Sequence, residues 1–228
     1  MSKKKVEHQD SGFEAVEHAL SKTEQYIEEN KKSLSIIVAA IIVVVGGYIL
    51  YNRFFITPRE NDAQTQIYRA EQYFEADSLM LALEGDGDAL GFLDIIDEYS
   101  MTKTANLAEY YAGICYLHLG EYENAIEHLK QFDSNDKLVS VIALGALGDA
   151  HVELGDYEEA ISFYEKASNK NKNDFTSALY LKKAGLVYEE MNEFKKAVVC
   201  YEKIKKNYPN SDEARDIDKF IEAAQMKN

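Results

Sequence analysis

The sequence has no tryptophan, only two prolines and only two cysteines among its 228 residues, against sixteen tyrosines. So few chain breakers point to a helical protein with short connections. Basic residues are scarce as well: 25 Lys and Arg stand against 40 Asp and Glu, a net charge of −15. The imbalance lies from Thr57 onward, where 18 Lys and Arg face 33 Asp and Glu. A domain of that charge repels phosphates and has no basic, aromatic-studded face to offset the repulsion, so nucleic acid is excluded as a partner. Catalytic sets are missing too. There is no Gly-rich phosphate loop, no Ser/His/Asp set and no low-complexity linker. The five histidines (His8, His18, His118, His128 and His151) share no metal-ligand spacing. Neither an enzyme nor a bound cofactor is expected.

What the chain does have is one long apolar run, LSIIVAAIIVVVGGYILYNRFFI, from Leu34 to Ile56. No charged residue falls between Ser33 and Asn52. About 20 apolar residues rising ~1.5 Å each span the ~30 Å hydrocarbon core of a bilayer. A core helix would show polar positions along one side, and after Ser35 none appears before Tyr48. A signal peptide would start near Met1 and end at small residues. Here a long polar tail precedes the run, and Tyr51, Arg53, Phe54 and Phe55 follow it. The reading is a retained transmembrane helix over 34–56. Lys3, Lys4, Lys5, Lys22, Lys31 and Lys32 precede it, and only Arg53 and Arg59 lie just beyond. The positive-inside bias therefore puts the N-terminus in the cytoplasm and the larger domain on the far side. Tyr48, Tyr51, Phe54 and Phe55 form an aromatic belt at that far interface.

The tail, residues 1–33, carries Phe13, Val16, Leu20, Thr23 and Ile27 at helical spacing, with Ser11 and Glu14 placed to form a capping box. It reads as an amphipathic helix lying on lipid head groups or docking a cytoplasmic partner. After Pro58, Ala63, Ile67, Ala70, Tyr73 and Phe74 mark another helix, interrupted by LEGDGDALG. Asp86, Asp88, Gly91 and Asp97 fall at the first, third, sixth and twelfth places of an EF-hand-like loop. Leu90 stands where a fifth-place ligand belongs, and the twelfth is Asp rather than Glu. An acidic loop between helices is the better reading, with helix resuming through Phe92, Ile95, Ile96 and Tyr99.

The rest of the chain repeats. NLAEYYAGICYLHLGEYENAIEHLKQF, VIALGALGDAHVELGDYEEAISFYEKA and ALYLKKAGLVYEEMNEFKKAVVCYEKI align on Gly113, Gly148 and Gly185, at intervals of 35 and 37 residues. Tyr116, His151 and Tyr188 then match, as do Gly120, Gly155 and Asn192; Tyr122, Tyr157 and Phe194; Ala125, Ala160 and Ala197; and Leu129, Tyr164 and Tyr201. The small residues would let the two helices of a hairpin approach closely, and the aromatics would fill the space between successive hairpins. Gly120, Gly155 and Asn192 would end each first helix in a left-handed conformation. Residues 57–101 read as a degenerate further copy, with Ala70 and Tyr73 at the Gly and Tyr places. Residues 102–228 hold the three repeats and a cap helix over Asp212 to Lys227.

This pattern resembles the tetratricopeptide repeat (TPR), a helix–turn–helix unit of about 34 residues. The resemblance implies an all-α fold: an N-terminal transmembrane helix followed by a TPR-type α-solenoid. It also implies that the first helix of each repeat lines a concave, partner-binding groove. By position the groove residues are Leu107, Tyr110, Ile114, Leu117 and His118; then Ile142, Asp149, Val152 and Glu153; then Leu179, Lys182, Leu186, Glu189 and Glu190. One end is apolar and aromatic and the other acidic, and some of these side chains also pack against neighbouring helices. Cys115 and His118 share a helical face, but two ligands do not make a tetrahedral site. Cys115 and Cys200 sit in the first and third repeats, too far apart to bridge, so a reduced, buried pair is expected.

The order of parts resembles the YfgM-type ancillary subunits of the bacterial Sec translocon. The tail helix ending EENKKSL, the RENDAQTQIYRAEQYF helix after the membrane, the acidic insertion and the repeats carry that resemblance. It implies a chaperone-like inner-membrane adaptor with a periplasmic TPR domain. Its implied partners are Sec translocon subunits, a membrane-anchored periplasmic prolyl-isomerase-type chaperone, secreted client chains and membrane lipid. A TPR scaffold for envelope assembly or division, and a cytosol-facing receptor of opposite topology, are the alternatives. Gly46 and Gly47 stand in a β-branched run where another helix could approach closely. Replacing both with Leu is expected to reduce co-purification with translocon subunits while membrane insertion persists; unchanged co-purification removes them from the contact.

Overall fold

The computed structural model describes the backbone of residues 7–227 and the side chains of residues 27–227. It divides into two compact units, Met1–Thr57 and Pro58–Asn228. All regular structure among the described residues is helical.

In the first unit, helix α1 runs unbroken from Glu7 to Tyr51, so the tail helix and the apolar run are one element. Its start corrects the expected cap. Ser11 lies four residues inside the helix, whereas an N-cap needs a non-helical backbone. The side chains of Glu14, Phe13, Val16, Leu20 and Thr23 lie outside the described set. The apolar run is exposed along its length, with Val43 and Val44 each more than 70% accessible. Its most apolar window has a mean hydropathy of 2.6, and none of that window is buried. A soluble core helix would be covered by its own protein. This helix is long and apolar enough to cross a membrane. A single π-helical turn, Asn52–Ile56, follows α1, and the rings of Tyr51 and Phe55 stack 5.6 Å apart across their junction.

The second unit is built of helices α2 (Thr57–Glu75), α3 (Leu79–Glu84), α4 (Phe92–Glu98), α5 (Lys103–Leu119), α6 (Tyr122–Gln131), α7 (Val139–Glu153), α8 (Tyr157–Lys170), α9 (Thr176–Glu190), α10 (Phe194–Asn207) and α11 (Ile217–Met226). From α5 onward each helix packs against the next, and the first helices also touch across hairpins, α5 on α7 and α7 on α9. The turns inside the hairpins are copies of one another. Gly120, Gly155 and Asn192 are left-handed, with φ of 80°, 78° and 59°. In each turn the following N–H reaches back five residues: Glu121 to Tyr116 O (2.9 Å), Asp156 to His151 O (2.9 Å) and Glu193 to Tyr188 O (2.8 Å). That is the Schellman closure, which satisfies carbonyls the helix end would leave bare. Asp77 closes α2 in the same way, with φ 57° and a Ser78-to-Tyr73 bond of 2.9 Å. The chain after α2 therefore reverses with the same kind of turn as the three later hairpins.

The acidic loop then separates two short helices, α3 and α4. Asp86 accepts the backbone N–H groups of Asp88 (3.0 Å) and Ala89 (2.7 Å) and the Tyr73 hydroxyl (2.5 Å). The Tyr73 hydrogen bond, first among these, holds the Asp86 carboxyl below its ordinary pKa. Asp94 accepts the N–H of Gly91 at 3.2 Å and starts α4. These carboxylates serve the loop's own backbone, as the acidic-loop reading expects. Beneath them Ala63, Ile67, Ala70, Ala82, Leu83, Phe92 and Ile95 share one core with Ala105, Ala108, Ala112 and Cys115 of α5.

Glu60 ties α2 to the repeats. It accepts the N–H of Lys103 (2.6 Å), the N–H of Thr104 (3.3 Å) and the Thr104 hydroxyl (2.9 Å), so it completes the first turn of α5 beside Thr102, whose hydroxyl accepts the Ala105 N–H at 3.0 Å. Partial burial alone would raise its pKa from 4.5, but these bonds and one from Gln64 outweigh it and lower the value. Its contribution is then complete above pH ~4.5 and disappears as the pH falls through the lowered folded value. Glu60→Ala should cost about 1 kcal/mol at neutral pH, the usual loss of a helix cap. Its deficit relative to the parent should shrink in acid, read by denaturant melts at two pH values.

Candidate functional site

The predicted groove lies on α5, α7 and α9, and each predicted residue finds one of three situations. The first is packing. Tyr110, Ile114 and Leu117 are half-buried against Leu129, Ala143, Ala146 and Leu147. Tyr110 also leans on Phe132 with ring centroids 5.4 Å apart. Leu107, Ile142 and Leu179 are half-buried as well. The apolar end of the predicted groove is thus largely the seam joining the first hairpin to the second.

The second situation is an open depression of about 320 Å³ between α5 and α7. Leu117 and His118 line it from α5, and Asp149, Val152 and Glu153 from α7, joined by Tyr122 and Tyr164. His118 and Glu153 are exposed, and Tyr122 donates its hydroxyl to Glu153 Oε2 at 3.3 Å. A second opening, of about 590 Å³, runs along α9 past Leu179, Lys182, Lys183 and Leu186 to Asp212 and Arg215.

The third situation corrects the expected acidic end. Asp149 accepts the Tyr164 hydroxyl at 2.5 Å and the Lys183 ammonium at 2.6 and 2.7 Å. Glu189 accepts the Tyr201 hydroxyl at 2.8 Å and Lys227 Nζ at 3.3 Å. Both carboxylates are taken up internally, because each buried tyrosine needs an acceptor for its hydroxyl. Burial first, and the adjoining carboxylate second, push both phenols above their ordinary pKa. Glu153 and Glu190 remain as exposed acids.

The rings themselves sit where the repeat alignment says they must, but not for the expected reason. A Cβ added to Gly148 would lie 2.5 Å from Tyr164 Cε1, one on Gly185 2.3 Å from Tyr201 Cε1, and one on Gly113 2.5 Å from Leu129 Cγ. The large residue of each second helix fills its own hairpin, not only the gap to the next. Tyr164 does both, since its ring also stacks 6.1 Å from that of Tyr180 on α9. Tyr122, Tyr164 and Lys183 were absent from the predicted site. Only Tyr164 had a signal: a tyrosine aligned against a glycine implies a buried hydroxyl, hence a nearby acceptor.

Cys115 is buried while His118 is exposed, so the two do not converge on a ligand. Burial pushes the Cys115 thiol up to about 12 and the Cys200 thiol up to about 11, and both cysteines are unbridged. Neither supplies a thiolate at neutral pH. On α1, a Cβ at Gly46 or Gly47 would meet nothing within 4 Å.

One family model matches the chain over residues 65–218, that of the T7SS, ESX-1 secretion system protein EccA1, N-terminal domain. The chain belongs to this family. The family match starts inside α2 and ends inside α11, so it takes in the repeats and both openings and leaves α1 outside. No curated protein matches the chain.

Gly148→Ala should destabilise the protein by roughly 1–3 kcal/mol, because the methyl group has to displace the Tyr164 ring. Tyr164→Phe should cost about 1 kcal/mol, since the Lys183 ion pair still serves Asp149. Thermal melts of both variants check the order.

Proposed function

We propose that the protein is a membrane-anchored, non-enzymatic TPR-type adaptor of a protein-export apparatus that holds partner polypeptides along α5, α7 and α9. The observation that carries this reading is the depression between α5 and α7. It is concave and has an apolar floor at Leu117 and Val152. Its rim carries the exposed His118 and Glu153, to which a peptide can still bond. The four closures at Asp77, Gly120, Gly155 and Asn192 support a solenoid of equivalent hairpins, which offers such a face along its length. The family is named for a secretion-system protein, which also favours export.

Within that role we place the chain as an accessory subunit of the Sec translocon, with its N-terminus in the cytoplasm and its helical domain in the periplasm. It would meet a membrane-anchored prolyl-isomerase-type chaperone and emerging secreted chains. The half-buried Tyr110, Ile114 and Leu117 offer edges rather than whole side chains. Affinity for one client segment should therefore be micromolar or weaker.

Cysteine-accessibility labelling should find Lys5→Cys on the cytoplasmic side and Asn228→Cys on the other. A cytoplasmic C-terminus would end the Sec placement. His118→Ala with Glu153→Lys should weaken peptide binding several-fold without lowering the melting temperature, because both side chains are exposed. Purification of the membrane complex followed by mass spectrometry should yield translocon subunits. Envelope-assembly or division proteins in their place would favour a scaffold.

A further inference from the structure

One edge of the second unit is traced by hydrogen bonds between successive loops. Glu60 at the start of α2 holds Lys103 and Thr104 at the start of α5. Asn106 in the first turn of α5 bonds Asp133 twice, Nδ2 to Asp133 O at 2.9 Å and Asp133 N–H to Oδ1 at 3.0 Å. Asn171 Nδ2 then reaches Lys137 O at 3.2 Å. The starts of α2, α5, α7 and α9 therefore lie along one edge. The turns at Gly120 and Gly155 lie at the other.

Three large apolar side chains stand out from this edge: Met101 (74% exposed), Leu138 (48%) and Phe175 (70%). Single exposed apolar residues are ordinary on protein surfaces. These recur in successive loops, and two of them are presented identically. Asp136 Oδ1 accepts the N–H groups of Leu138 and Val139, both at 2.8 Å. Asn173 Oδ1 accepts those of Phe175 (2.9 Å) and Thr176 (2.8 Å). Leu138 and Phe175 both stand ten residues before the hairpin glycines Gly148 and Gly185. Exposed Lys103, Lys137, Lys170 and Lys172 stand among them.

We propose that this edge lies on the lipid surface, with Leu138, Phe175 and Met101 inserted among the acyl chains and the lysines reaching back to lipid phosphates. The inference rests on the reading of α1 as a membrane helix. Glu60 stands four residues after Ile56, the end of the apolar run, and four residues span at most about 14 Å. The edge that begins at Glu60 is therefore held at the bilayer at high local concentration, where weak insertion suffices. Amphipathic lysines and aromatic residues suit that interface. Asp133, Asp136 and Asp174 share the edge, so apolar insertion rather than net charge drives the contact, and dependence on anionic lipid should be slight.

The chain lacks tryptophan, so a single introduced one is its only indole. Full-length Leu138→Trp and Phe175→Trp, placed in phosphatidylcholine nanodiscs with brominated acyl chains, should show blue-shifted, quenched emission. Leu154→Trp, at the far end of α7 about 24 Å away by helix rise, should be unaffected. Tyr48→Trp, inside the apolar run, should be quenched. Quenching of Tyr48→Trp without Leu138→Trp and Phe175→Trp would overturn the docking and leave the anchor standing. An unquenched Tyr48→Trp would overturn both, and equal quenching of Leu154→Trp would show no preferred edge. Replacing a third of the phosphatidylcholine with phosphatidylglycerol should change little; quenching seen only then would overturn apolar insertion as the driver.

Discussion

At Gly113, Gly148 and Gly185 the two helices of a hairpin come so close that a single added carbon would strike the side chain opposite. That clearance sets the rest. It brings Ala125, Ala160 and Ala197 into complete burial from the other helix. It lets a Leu or Tyr lie across the hairpin waist, and it leaves α7 and α9 among the most buried helices. The Schellman turns that close each hairpin follow from the same geometry. Helices this close need an abrupt reversal, and a left-handed residue gives it while still satisfying the last carbonyls.

Filling the waist with tyrosine instead of leucine has an electrostatic consequence. Leu129 in the first hairpin asks nothing of its surroundings, whereas Tyr164 and Tyr201 bring hydroxyls that must be bonded. Asp149 and Glu189 meet that need from different positions, and Lys183 and Lys227 then pair with them. Acidic residues on the candidate binding face are thereby neutralised from within. What remains for a partner is a mixed surface, His118, Glu153 and Tyr122 over Leu117 and Val152, rather than an acidic strip. The same logic runs at Glu60, whose carboxylate bonds the start of α5 and so couples α2 to the hairpins that follow.

The apolar part of α1 is long and apolar enough to cross a membrane. Between Ser33 and Asn52 none of its residues is buried, which in water would expose a long hydrophobic rod. A bilayer removes that cost without any protein contact, so the helix needs only length and apolarity. The family match stops short of it. The apolar helix and the helical domain are therefore defined separately, the first by hydropathy and the second by packing.

Periodicity made the helices, the hairpin waists and the left-handed turns legible in the sequence, because each depends on neighbours within one repeat. Gly120, Gly155 and Asn192 could be assigned from spacing alone, whereas the left-handed Asp77 that ends α2 has no glycine to advertise it. The apolar run was equally plain, since hydropathy is a property of composition. Ser11 misled because a capping box is a local pattern and α1 starts before it. The candidate site was legible as a set of positions but not as a surface. Whether Tyr110 and Leu117 are open or packed depends on Ala143 and Leu147 in the next hairpin. Whether Asp149 is a free charge depends on Lys183, thirty-four residues away. The sequence by itself determined which residues turn, which approach and which could face a membrane. Tertiary structure alone decided which charges were left over, because burial of a hydroxyl in one hairpin is answered by side chains from another.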